Sequence, residues 1–198
     1  MNPQPELLPA ATRILPTLAG EFSTIVADPP WPIRMGGSKD GAPLNGFSTV
    51  DALPYPTLSL EELGAIELPA AENAHLYLWT INRFIVAAYT LANHWRFRPS
   101  TMLVWIKSPM GLGLGGPFAT NTEFCLFCRR GNLPTKRRID RTWFSWPRGR
   151  HSEKPEAFQS MVESISPGPY LEIFARRPRH GWSTYGNELK PLETRTDE

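Results

Sequence analysis

Short apolar runs alternate with helical patterns along the chain. Phe22-Ser-Thr-Ile-Val-Ala27 reads as a buried strand, stopped by Asp28-Pro29-Pro30 because proline offers no N–H to a ladder. Residues 75–79, 102–106, 124–128 and 170–175 read as further strands, and 182–185 as a short one. Ser59-Leu-Glu-Glu62 is a capping box that opens a short helix ending near Gly64 or Pro69. Residues 82–94 place Phe84, Ala87, Ala88 and Leu91 on one helical face. Residues 156–165 form another helix, with Pro155 suited to its first turn. This alternation predicts an α/β sheet covered by helices on both faces.

Residues 32–58 carry much Gly and Pro and no periodicity, and a loop of that length is often functional. The 198 residues fit one α/β domain, with 1–20 and 191–198 as flexible ends. Proline, at 21 residues, is roughly twice its usual share. Seven Trp and ten Phe still argue for a packed interior, so the prolines punctuate loops. No uncharged apolar run approaches a membrane span, and residues 1–13 lack a basic stretch followed by an apolar one. The expectation is a soluble cytoplasmic protein with no membrane partner.

Cys125 and Cys128 stand three apart on a predicted strand, so they point to opposite faces as two buried free thiols. No second Cys pair and no histidine spacing suggests a metal site, and none is expected. Gly111-Leu-Gly-Leu-Gly-Gly116 matches GxGxxG, but Pro117 and a strand-like run follow where a dinucleotide site needs a helix. The reading it would support, a nicotinamide oxidoreductase, is therefore disfavoured.

The net charge of +2 hides a cationic stretch. Between residues 129 and 150 there are eight basic residues against one acid, a local +7. Trp143, Phe144 and Trp146 interleave with its arginines. Aromatic faces beside guanidinium groups suit an unstacked strand and its phosphates, with Arg148 and Arg150 as substrate-binding candidates.

Asp28-Pro29-Pro30-Trp31 carries the sharpest chemistry. The exocyclic amine of adenine is a poor nucleophile because its lone pair is delocalised into the ring. An Asp carboxylate and the Pro29 carbonyl can accept its two N–H hydrogens and free that lone pair for attack on a methyl sulfonium. The prolines preorganise the acceptors, and Trp31 offers a face for an unstacked base. The end of a strand in an α/β sheet also suits a ligand site.

Val26-Ala-Asp-Pro-Pro-Trp31 resembles the signature of the DPPW-type adenine-N6 methyltransferases, the family of the messenger-RNA adenosine methyltransferase catalytic subunit. The runs Leu53-Pro-Tyr-Pro-Thr-Leu-Ser59, Leu76-Tyr-Leu-Trp79, Leu103-Val-Trp-Ile-Lys107, His151-Ser-Glu-Lys-Pro155, Pro167-Gly-Pro-Tyr-Leu-Glu-Ile-Phe-Ala-Arg176 and Tyr185-Gly-Asn187 follow in the family's order. The resemblance covers roughly residues 22–190. It implies a class I, Rossmann-like methyltransferase sheet with permuted motifs, the catalytic loop early and the cofactor elements late, and S-adenosyl-L-methionine as cofactor.

Residue by residue, the resemblance makes Asp28, Pro29, Pro30 and Trp31 catalytic. Asp28 also meets the methionine ammonium, and Lys154, with Ser152 in the same segment, meets the methionine carboxylate. Arg176 and Asn187 resemble ribose contacts, and the cofactor adenine is left to backbone groups or Glu188. Tyr55 resembles the aromatic residue flanking the target base, Lys107 a substrate contact, and Glu123 an acid that orients Lys107. The implied activity is methyl transfer to adenine N6 in nucleic acid, DNA favoured over RNA because the short chain resembles bacterial and phage members. A catalytically silent nucleic-acid-binding subunit is the alternative, disfavoured by the presence of both Asp28 and Lys154. Monomer and homodimer both remain open.

Overall fold

The computed structural model describes residues 20–32, 57–108, 118, 120–149 and 153–186. Seven strands form one sheet: β1 (Phe22–Ala27), β2 (Ala70–Thr80), β3 (Arg98–Ser108), β4 (Thr122–Arg130), β5 (Trp143–Pro147), β6 (Tyr170–Ile173) and β7 (Trp182–Tyr185). Their order is β5-β3-β4-β2-β1-β6-β7. Every neighbouring pair is parallel except those made by β4, which runs against both β2 and β3. The sheet is thus mostly parallel and Rossmann-like, with the strand that leads into Asp28 near its middle.

Helices cover both faces. Helix α1 (Leu60–Gly64) opens on the expected capping box, with Ser59 Oγ accepting from Glu62 N–H and Glu62 accepting from Ser59 N–H. A 3₁₀ turn (Asn82–Phe84) leads into α2 (Ile85–His94). Leu63, Ala88, Leu91 and Ala92 join Ile25, Ala27, Leu76, Leu78 and Leu126 in one core. Helix α3 (Glu156–Ile165) brings Phe158, Met161 and Val162 onto the opposite face, against Val26, Tyr77, Trp79 and Phe127. Consecutive strand residues alternate between the two cores, as the pleat requires. Cys128 therefore lies in the first core and Cys125 in the second, both as free thiols. Burial pushes the Cys128 thiol up to about 12 and raises Cys125 likewise, so neither supplies a thiolate near neutrality.

Strand β5 adds to the strands read from the sequence, where Trp143-Phe-Ser-Trp-Pro stood only as an aromatic run within the cationic stretch. It pairs parallel to the end of β3, from Val104↔Trp143 to Ser108↔Pro147. Phe144 and Trp146 stack at 4.6 Å and pack toward the second core, where Trp146 meets Phe158 edge-on. Only Trp143 of the three aromatics is exposed.

Candidate active site

The connection leaving β1 runs through α1 to β2 on one side, while β6 continues to β7 on the other. The carboxyl ends of β1 and β6 therefore flank the point where the chain direction switches, the crevice in which open α/β sheets bind ligands. Asp28 follows β1 there, and Phe174 to Arg176 follow β6.

The Asp-Pro-Pro-Trp turn is braced on three sides. Trp31 N–H donates to the Pro29 carbonyl at 2.8 Å, and Leu58 N–H donates to the Pro30 carbonyl at 2.9 Å. Trp31 Nε1–H donates to the Trp79 carbonyl at 3.1 Å. The Trp31 ring lies 5.4 Å from Phe84 at an interplanar angle of 11° and is 5% exposed. This corrects the expectation that Trp31 offers a face to an unstacked base: Phe84 takes that face, and the indole pins the turn to the first core.

Asp28 faces a lysine from the far end of the chain. Lys154 Nζ donates to Asp28 Oδ2 at 2.7 Å and lies 3.2 Å from Glu123 Oε2. Glu123 in turn pairs with Lys107 at 2.5 Å. The four groups form a charge-balanced chain that starts at Asp28, after β1, and crosses the carboxyl edge to Lys107 on β3. Lys154, with 12% of its side chain exposed, is not the solvated lysine its neighbours Glu153 and Glu156 alone would suggest. Burial raises the Asp28 carboxyl, and Lys154 opposes that rise. Asp28 and Glu123 together raise Lys154 against its own burial. Glu123 is held below its ordinary value by the two lysines, despite burial.

Two features escaped the sequence reading. Glu172 on β6 stands opposite Val26, on the α3 face, buried and hydrogen-bonded to Gln159. Burial and the nearby Asp28 charge push its carboxyl up to about 7. An acid inside Tyr170-Leu-Glu-Ile173 was the available signal. Gly186 is the second. A Cβ there would meet the Ala175 carbonyl oxygen at 2.1 Å and the Ala175 nitrogen at 2.7 Å. Its missing side chain lets the chain after β7 run against the residue before Arg176, with Ala175 N–H donating to the Tyr185 carbonyl at 2.9 Å.

Among the expected site residues, Asp28, Pro29, Lys107 and Lys154 thus meet at one edge. Arg176 sits near enough to Asp28 to lower its carboxyl slightly. Arg148 N–H donates to the Ser108 carbonyl at 3.0 Å, which places it at the same edge but four strands from β1. Tyr55, Arg150, Ser152, Asn187, Glu188 and the glycine loop at 111–117 lie outside the described residues.

The MT-A70 family profile matches residues 22–188. The chain belongs to the MT-A70 family. The chain is 30% identical over 204 residues to the type II methyltransferase M.MunI of a Mycoplasma species, covering 96% of this chain and 84% of that protein. It is 28% identical over 182 residues to a putative N(6)-adenosine-methyltransferase MT-A70-like protein of Medicago truncatula, and 26% over 184 residues to the human N(6)-adenosine-methyltransferase catalytic subunit METTL3. The matches cover 87% of this chain but only 27% and 29% of those two proteins. Adenine-N6 methylation is the chemistry of the MT-A70 relatives so named. Among the described residues, no helix of this MT-A70 chain is long and apolar enough to cross a membrane.

Proposed function

We propose that the chain is an S-adenosylmethionine-dependent methyltransferase that modifies adenine N6 in nucleic acid, DNA in preference to RNA. The observation that carries the reading is the Asp28–Lys154 pair at 2.7 Å on a braced Asp-Pro-Pro-Trp turn. The residues present fit the cofactor. Its methionine end is a zwitterion, and the edge offers the Asp28 carboxyl beside the Lys154 ammonium. Trp79, whose ring lies 5.2 Å below Lys154 Nζ, adds a buried indole N–H with no partner among the described residues. Lys154, with Ser152, would hold the carboxylate, Asp28 the ammonium, and Arg176 with Asn187 the ribose. Glu188 would serve the adenine.

When bound, the cofactor supplies an electrophilic methyl group on a sulfonium. The chain supplies the alignment. Asp28 and the second lone pair of the Pro29 carbonyl would accept the two N6 hydrogens, localising the nitrogen lone pair. Asp28, its basicity raised by burial, would take the proton released once nitrogen carries the methyl group. Lys154 and Glu123 keep the Asp28 charge balanced, and Lys107, Tyr55, Arg148 and Arg150 would hold the substrate strand. The preference for DNA is supported by the match along most of the length of a type II methyltransferase.

The test is transfer from radiolabelled S-adenosylmethionine to matched DNA and RNA, single- and double-stranded, followed by nucleoside analysis. Label in N6-methyldeoxyadenosine is expected. Label confined to cytosine or to protein would overturn the reading, and label in RNA alone would overturn the DNA preference.

A further inference from the structure

The cationic stretch does not sit in one place. Arg129 lies over the Phe127 ring at 5.5 Å, and Arg130 donates to the Ala70 carbonyl. Lys136 donates to the Glu163 carbonyl and the Tyr170 hydroxyl, both at 2.9 Å. These three hold the fold at the amino end of the sheet. Arg137, Arg138 and Arg141 do something else: all are exposed and line one open groove with Ile139 and Asp140. Ile139 packs against the second core, so the arginines project from an anchored backbone. The Arg138–Asp140 contact, 3.6 Å between side chains 90% and 94% exposed, commits little of that charge.

Strand β5 separates this cluster from the catalytic edge. Four strand spacings of about 4.8 Å lie between β1 and β5, and seven residues of about 3.3 Å lie between Arg148 and Arg141. Arg141 is therefore roughly 30 Å from Asp28. Arg137 follows Lys136, whose backbone N–H donates to the Ile165 carbonyl at the end of α3, so the groove runs across the amino end of the sheet, away from the target base. We propose that Arg137, Arg138 and Arg141 form a phosphate-binding track from the end of α3 toward β5 that grips the nucleic acid flanking the target adenine. The proposal rests on the methyltransferase reading and deepens it. Guanidinium groups on phosphates bind without regard to sequence, and release of counterions makes such binding salt-dependent. At 3.4 Å per nucleotide along a strand, Arg141 meets phosphates about nine nucleotides from the target.

The test compares wild type with the R137A/R138A/R141A variant on two duplexes with a central adenine, one flanked by four base pairs and one by fifteen. Binding is measured over a series of salt concentrations, and thermal melting checks the fold. Wild type is expected to bind the long duplex at least tenfold more tightly than the short one. The variant is expected to lose that advantage, with the long-duplex salt slope falling by about three, roughly 0.9 per lost phosphate contact. A variant that keeps the length advantage and the slope overturns the track and leaves the groove to an acidic protein surface. Failure of the methyltransferase reading shows differently, as wild type that transfers no methyl group to either duplex however it binds them.

Discussion

Asp28 and Lys154, 126 residues apart in the chain, meet at 2.7 Å in a buried edge of the sheet. Lys154 also serves Glu123, so the two residues of the pair are not equivalent. Replacing Lys154 by Met leaves the Asp28 carboxylate buried without its counter-charge and Glu123 with Lys107 alone, and is expected to cost about 3–5 kcal/mol of stability. Replacing Asp28 by Asn removes a charge that burial already penalises and leaves Lys154 paired with Glu123. Its stability is expected to change by less than about 1 kcal/mol, while methyl transfer falls on the order of a hundredfold or more. Urea unfolding and initial rates check both, and equal destabilisation by the two variants would contradict the arrangement.

Trp31 gives a sharper test of how the turn works. If its ring were a stacking face, Phe would serve nearly as well. In the structure the indole N–H holds the Trp79 carbonyl, and Phe cannot make that bond. Trp31→Phe is expected to cost about 1–3 kcal/mol and to lower kcat more than it raises the KM for nucleic acid. Steady-state kinetics and thermal melts measure both, and wild-type kcat in this variant would restore the stacking role.

The core was legible because it rests on local patterns. The Phe22–Ala27 strand, the Ser59–Glu62 box and the Glu156–Ile165 helix each announce themselves within ten residues. Strand β5 did not, because five residues between prolines and arginines carry too short an alternation, and their partner β3 lies some forty residues earlier. The Asp-Pro-Pro-Trp motif marked the site, yet its tryptophan read as exposed because nothing local forecasts Phe84 as its cover. The Asp28–Lys154–Glu123–Lys107 chain joins four distant segments, so motif resemblance forecast the Glu123–Lys107 contact but not the Lys154 links that tie it to Asp28.

Gly186 ties the last strand to the segment before Arg176, a proposed cofactor contact. A methyl group there would strike Ala175 backbone, which cannot rotate away as a side chain can. Gly186→Ala is expected to part the chain after β7 from the segment before Arg176. The KM for S-adenosylmethionine is expected to rise about tenfold or more, a loss near 1.4 kcal/mol of cofactor binding, with little change in affinity for nucleic acid. Kinetics at varied cofactor concentration and a separate DNA titration distinguish this from general unfolding, which would weaken both.

Glu172 and His75 impose opposite pH slopes on stability. Burial lowers His75 to about 4, and its neutral ring bridges Ser166 Oγ and the Leu133 carbonyl. Its depressed value means that its contribution is present above pH 6.5 and is lost as pH falls toward 4. Glu172 is raised to about 7, so its contribution is complete below pH 4.5 and is lost as pH rises through 7. Between these limits the two effects oppose each other in the wild type. Glu172→Gln removes only the second, and its amide can supply the donor that the buried Gln159 Oε1 lacks among the described residues. The variant is expected to match the wild type near pH 4.5 and to exceed it by on the order of 3 kcal/mol at pH 8, the value of a carboxyl moved by about 2.5 pH units. Urea unfolding of both proteins across that range measures the difference. A difference independent of pH would mean that Glu172 keeps an ordinary carboxyl and that its burial beside Asp28 carries no electrostatic cost.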